Sequence, residues 1–142
     1  MSWRARRTRA WGLIELALVL PLLLTILLGT VAVGRVLWYD RAVRAVASEA
    51  ARAGALGSSV TDAERRARQR ADELAQDAGL DPRRLEVAID THGYGRGGWV
   101  VVRTRYEVLP IVPLGAINQD GPWWVGAEGR EPVDSYRSGV GR

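Results

Sequence analysis

The 142-residue chain has no cysteine, no lysine and a single histidine, His92. Without cysteine there is no disulfide framework and no thiolate chemistry. With one histidine and no thiol, neither a metal site nor a nucleophile–base pair is expected, and with them no cofactor and no catalytic residue. With no lysine, every basic side chain is arginine and a phosphate-binding lysine loop is excluded. Gly93, Gly95 and Gly98 satisfy G-x-G-x-x-G, but a strand pattern follows them, and the dinucleotide fingerprint requires a helix there. These glycines read as a hairpin loop.

The pI near 10.3 suggests a nucleic-acid partner, and the placement of charge argues against one. Arg4, Arg6, Arg7 and Arg9 precede every acid, and removing them leaves 16 arginines against 16 acids. A region with no net charge lacks the footprint that binds phosphate backbones. Arg65, Arg66, Arg68 and Arg70 form a local run, yet Asp62, Glu64, Asp72, Glu73 and Asp77 surround it, which reads as a solvated helix face. No nucleic acid is expected as a partner.

The sequence does contain one long apolar run. Leu16 to Gly34 is an uncharged stretch of 19 residues, long enough to cross a bilayer as a helix. Trp11 and the pair Trp38 and Tyr39 flank it, and their 27-residue separation corresponds to about 40 Å of helix, the distance between the two interfacial belts. The arginine cluster on the N-terminal flank predicts a cytoplasmic N-terminus, with the rest of the chain outside and membrane lipid as the first partner. A cleaved signal peptide is the rival reading, with small residues at Ala32 to Gly34 as its cut site. A twin-arginine signal fits poorly, because Arg9 stands where that signal has an apolar residue.

The helical pattern continues beyond Gly34. Val36, Tyr39, Val43, Val46, Ala50 and Ala53 form one apolar stripe at spacings of three and four. Its alanines permit close packing against the chain's own domain or a neighbouring subunit. A continuous helix is expected from Trp11 to Leu56.

Two segments carry a family resemblance. They are Glu15-Leu-Ala-Leu-Val-Leu-Pro21-Leu-Leu-Leu with Gly29-Thr-Val-Ala-Val-Gly34-Arg35, and Ala42-Val-Arg-Ala-Val-Ala-Ser-Glu49-Ala-Ala-Arg52-Ala-Gly-Ala-Leu-Gly57. They resemble the N-terminal signature and following helix of TadE-like proteins of the tight-adherence (Flp) pilus system, over roughly residues 11 to 57. The resemblance implies a minor pilin or pseudopilin that assists assembly of such a pilus, or of a related secretion apparatus, and so serves adhesion. Its implied partners are other pilin subunits, the assembly machinery and a prepilin peptidase. In such proteins the glutamate is the fifth residue after processing, which puts the cut between Ala10 and Trp11; Ala10 stands where the family usually has glycine. The leading alternative is a membrane-tethered extracytoplasmic binding module unrelated to pili.

Glu15 then has two readings: a carboxylate favoured by its own helix N-terminus, or the partner of a neighbour's N-terminal ammonium. Gly29 and Gly34 are either ordinary membrane-helix glycines or, with Glu15 and Pro21, part of a subunit-contact helix.

After Gly57 a capping box at Thr61 to Glu64 predicts a second helix with Ala63, Ala67, Ala71, Leu74 and Ala78 on one face, closed by Gly79 and Pro82. Alternation of Leu85, Val87 and Ile89 with Glu86, Ala88 and Asp90 predicts a strand. A glycine-rich turn from Gly93 to Gly98 then leads into a second strand from Trp99 to Val108, and the two read as a hairpin. Pro110 to Pro122 reads as irregular, and Trp123 to Val133 as a third, edge strand. One of Trp123 and Trp124 is expected to pack on the sheet and the other to face outward, either as a plain exposed aromatic or as a partner-facing anchor. The fold expected is α+β: a long N-terminal transmembrane and amphipathic helix, a second helix and a small antiparallel sheet of about three strands. The segments are a basic leader (1–10), a membrane helix (11–34), its amphipathic continuation (35–57), an extracytoplasmic domain (58–136) and a tail (137–142).

Overall fold

In a computed structural model of the chain, residues 3–91, 93–94, 97–109 and 122–133 are described, with side chains from Glu15 onward. His92, Gly95, most of the stretch from Pro110 to Pro122 and the tail lie outside the described residues. Helix α1 spans Trp3–Ala55. It starts eight residues before the expected Trp11 because neither proline nor glycine occurs before Gly12, and alanine and arginine favour helix. The chain divides into two units, Met1–Arg35 and Val36–Arg142, with α1 contributing to both.

The second unit holds the last five turns of α1, helix α2 (Val60–Asp77) and strands β1 (Leu85–Asp90), β2 (Trp99–Val108) and β3 (Trp123–Pro132). Helix α2 begins earlier than its expected capping box. Ser59 is the N-cap, and its hydroxyl accepts the Asp62 amide at 3.2 Å. The Asp62 carboxylate reaches back to accept the Ser58 amide at 3.0 Å, so two orphan donors of the helix entrance are satisfied. At the other end Gly79 takes φ +63°, and the amides of Gly79 and Leu80 return to the carbonyls of Gln76 and Ala75. This double return closes the helix, and the Leu80 side chain beneath it is buried. Only glycine takes that φ without strain.

The three strands form an antiparallel sheet of order β1-β2-β3. In β2, Val100, Val102, Thr104, Tyr106 and Val108 point into the core while Trp99, Arg103 and Arg105 point out, the two-residue period of a strand covered on one face. β3 is an edge, as expected, and its Pro132 lies opposite Trp99 at the strand's end, where a missing amide costs the sheet least.

One core joins these elements. Val43, Val46, Ala50 and Ala51 of α1 meet Ala67, Ala71 and Ala75 of α2 and the inward apolar side chains of β2. Burying a valine such as Val43 or Val100 contributes on the order of 1.5–3 kcal/mol. The alanines contribute less area but let backbones approach. A Cβ at Gly54 would lie 2.9 Å from Val100 Cγ1, and one at Gly57 would lie 2.6 Å from the Ala63 amide nitrogen. The buried hydroxyl of Thr104 donates to the Val43 carbonyl at 3.1 Å, tying β2 to α1 across the core. Among the described residues no buried side-chain nitrogen or oxygen lacks a partner.

Candidate functional site

From Leu16 to Val33, α1 is an apolar helix whose large side chains its own fold leaves uncovered. Between Leu16 and Val33 every leucine, isoleucine and valine is exposed, Leu18 to 74%. The most apolar window of this helix, which satisfies the length and composition of a membrane crossing, has none of its surface buried. Two hydroxyls between Leu16 and Val33 are satisfied within the helix: Thr25 donates to the Pro21 carbonyl at 2.8 Å and Thr30 to the Ile26 carbonyl at 2.9 Å. Such back-bonding hides polar groups from a lipid environment.

The expected contact residues occupy different faces of this helix. At 100° per residue, Glu15 and Gly29 fall within about 40° of one another, whereas Pro21 and Gly34 lie on other faces. Glu15 is exposed, and a Cβ at Gly29 or Gly34 would meet nothing within 4 Å. These glycines are therefore not required by the chain's own packing. Ala10 and Trp11 lie within the helical span Trp3–Ala55, and their side chains fall outside the described set.

The helix changes role near Arg35. From Val36 onward its apolar stripe is half-buried or buried within the second unit, against α2 and the sheet, and Tyr39 stacks on Tyr106 with ring centroids 5.0 Å apart. On the exposed flank of this portion Asp40 accepts from Arg44 at 2.8 Å, which holds the Asp40 carboxyl below its ordinary range.

The sheet face opposite the helices carries arginine and tryptophan. Arg103 pairs with Glu128 at 2.8 Å, the Arg105 guanidinium lies 5.4 Å from the Trp124 ring, and Arg130 lies 4.3 Å from the Trp99 ring. The expectation that one of Trp123 and Trp124 is packed away needs correction, since they are 44% and 43% exposed. Trp123 shares its face with Val125, Ala127 and Gly129, but at the strand's first residue that face is only partly covered. The pairing of Arg105 with Trp124 escaped the sequence reading because it depends on the β2–β3 register, which places Glu107 opposite Trp124 and Arg105 opposite Gly126.

A shallow groove between α1 and α2 is lined by Ala53, Leu56, Arg66, Gln69, Arg70 and Glu73. Its arginines are engaged, Arg66 with Asp62 at 2.9 Å and Arg70 with Glu73 at 3.3 Å. Among the described residues no group of three or more histidine, aspartate or glutamate side chains could hold a metal ion.

Residues 12–52 match the family described as TadE-like protein. The matched segment takes in Glu15, Pro21, Gly29, Gly34 and most of the stripe that α1 packs on its own sheet, and it ends before α2. A search of the curated proteins and a search of the solved structures each find no match.

Proposed function

We propose that this chain is a single-pass membrane protein acting as a minor pilin or pseudopilin in assembly of a tight-adherence pilus or a related secretion apparatus. The observation that carries this reading is the division of α1. Its second portion, from Val36, is used by the chain's own core, whereas from Leu16 to Val33 every leucine, isoleucine and valine is exposed. Water does not tolerate such a surface, so lipid or other apolar helices must cover it. The TadE-like match spans this division, which favours a helix that passes from lipid into a bundle of subunits over one that only anchors.

The arginine-rich flank supports a cytoplasmic N-terminus and an exported sheet domain. Prepilin peptidase would cut between Ala10 and Trp11, leaving Glu15 as the fifth residue. The test is N-terminal sequencing of the protein purified from native membranes. A chain starting at Trp11 supports the proposal. An intact Met1 end sinks the prepilin reading in favour of a simple anchor, and a cut near Gly34 replaces both with a signal peptide.

A further inference from the structure

The second unit has two ends, and the aromatic residues are divided between them. Three contacts give the levels of α1 against β2: Gly54 lies by Val100, Val43 by Thr104 and Tyr39 by Tyr106. α1 therefore runs antiparallel to β2. Two further strand residues advance about 6.6 Å, or roughly four helical residues, so Val108 is level with the beginning of this unit at Val36. Trp123 lies opposite Val108 and Trp124 opposite Glu107. Trp38, Leu109, Trp123 and Trp124 thus gather at one end, exposed to 50%, 42%, 44% and 43% respectively. Trp99 stands at the other end, eight strand residues or about 26 Å away.

We infer that the Trp123–Trp124 end of the sheet docks onto the lipid headgroup interface of the membrane that the N-terminal portion of α1 crosses. This inference rests on that portion being a membrane span. Trp38 follows Gly34 by four residues, a link of at most about 14 Å even when fully extended, so this end of the unit cannot stand far from the bilayer. Tryptophan is suited to the interface because its ring is apolar while its N–H remains hydrated. The interfacial layer on each side is only about 5–8 Å deep, so it can take the Trp124 end but not Trp99 at the same time. Arg105 and Glu107 both flank Trp124, so the contact does not depend on attraction to anionic lipid. Docking fixes which way the sheet faces as subunits assemble.

The full chain, reconstituted in phosphatidylcholine vesicles brominated on the upper acyl chain, tests this. Its six tryptophans are reduced by phenylalanine replacement to Trp38, to Trp99, or to Trp123 with Trp124. Bromine quenching of the Trp123–Trp124 form is expected to match that of the Trp38 form and to persist in high salt, with Trp99 unquenched. Quenching at Trp38 with none at Trp123 and Trp124 overturns the docking and leaves the membrane span intact; no quenching at Trp38 overturns both. Because the chain has no cysteine, nitroxides on Leu109→Cys and Arg52→Cys provide a second measurement with all tryptophans in place. Oxygen accessibility characteristic of the interface is expected at position 109 and aqueous accessibility at 52. Aqueous values at both positions overturn the docking.

Discussion

Gly129 of β3 lies directly under the carbonyl of Ala47 in α1, so near that a Cβ there would sit 2.2 Å from the carbonyl oxygen and 2.4 Å from its carbon. Backbone, not a movable side chain, fills the space. Gly129→Ala must therefore separate the helix from the sheet, at a cost of about 1–3 kcal/mol or more. Gly29→Ala is the contrast, since nothing lies within 4 Å of its added methyl. Thermal unfolding of the full chain in detergent, followed by near-ultraviolet circular dichroism, is expected to show a lower Tm for Gly129→Ala and an unchanged one for Gly29→Ala.

Thr104 is the only buried polar residue among those described, and its hydroxyl joins β2 to the Val43 carbonyl. Thr104→Val keeps the shape and removes the donor. The Val43 carbonyl retains its place in the helical ladder, so the loss is that of one net hydrogen bond, about 1 kcal/mol. Thr104→Ala is expected to be worse, because it leaves a small void as well. Equal stability of the valine variant and the parent in denaturant titration would show that the bond contributes nothing.

Much of this fold was legible in the sequence, and the illegible parts share a cause. Alternation marks β1, and the four-residue spacing of Ala63, Ala67 and Ala71 marks the buried face of α2. The expected stripe runs on through Leu74 and Ala78, whereas Ala75 is its buried continuation and Leu74 and Ala78 lie at its rim. Thr61 is the cap that the sequence suggests, because glutamate follows at the expected spacing; Ser59 caps instead, with aspartate as the returning acid. In the N-terminal unit, the apolar run and its exposed glycines were readable directly, because no tertiary partner modifies them. Gly129, Gly54 and the Arg105–Trp124 contact were not readable. Each depends on which backbone crosses which, and a strand's own pattern does not specify the helix above it.

The entrance of α2 predicts a pH dependence. Asp62 is held well below the usual carboxylate range, first by the Ser58 amide and then by Arg66 and Arg65. A carboxylate with a depressed pKa in the folded state binds fewer protons folded than unfolded. The stability it confers is complete above the ordinary carboxylate range and is lost as pH falls through that range toward the folded value. Asp40, lowered by Arg44, acts in the same direction. The Tm is expected to be level between about pH 5 and pH 7 and to fall below about pH 4. Asp62→Asn is expected to melt lower at neutral pH, to lose stability less steeply in acid and to approach the parent there. Parallel curves for the two proteins would exclude Asp62 as a source of the acid dependence.

Glu15→Gln separates the two roles open to that carboxylate. As a helix-end charge, Glu15 contributes at most about 1 kcal/mol through the dipole, so the amide should insert normally and leave assembly intact. As the partner of a neighbour's N-terminal ammonium, its removal strands that ammonium among the apolar side chains that surround this portion of α1. Breaking one side of a buried charge pair costs about 3–5 kcal/mol, a weakening of association by a factor of hundreds or more. The structure makes the chain's own fold a poor source of any defect, since Glu15 is exposed and belongs to the unit outside the core. The expected variant is inserted, processed and as stable as the parent, yet fails to co-purify with its pilin partners and leaves cells with few filaments. Co-purification and filament numbers at parental levels would return Glu15 to the helix-end role and weaken the proposal that this helix assembles as a pilin does.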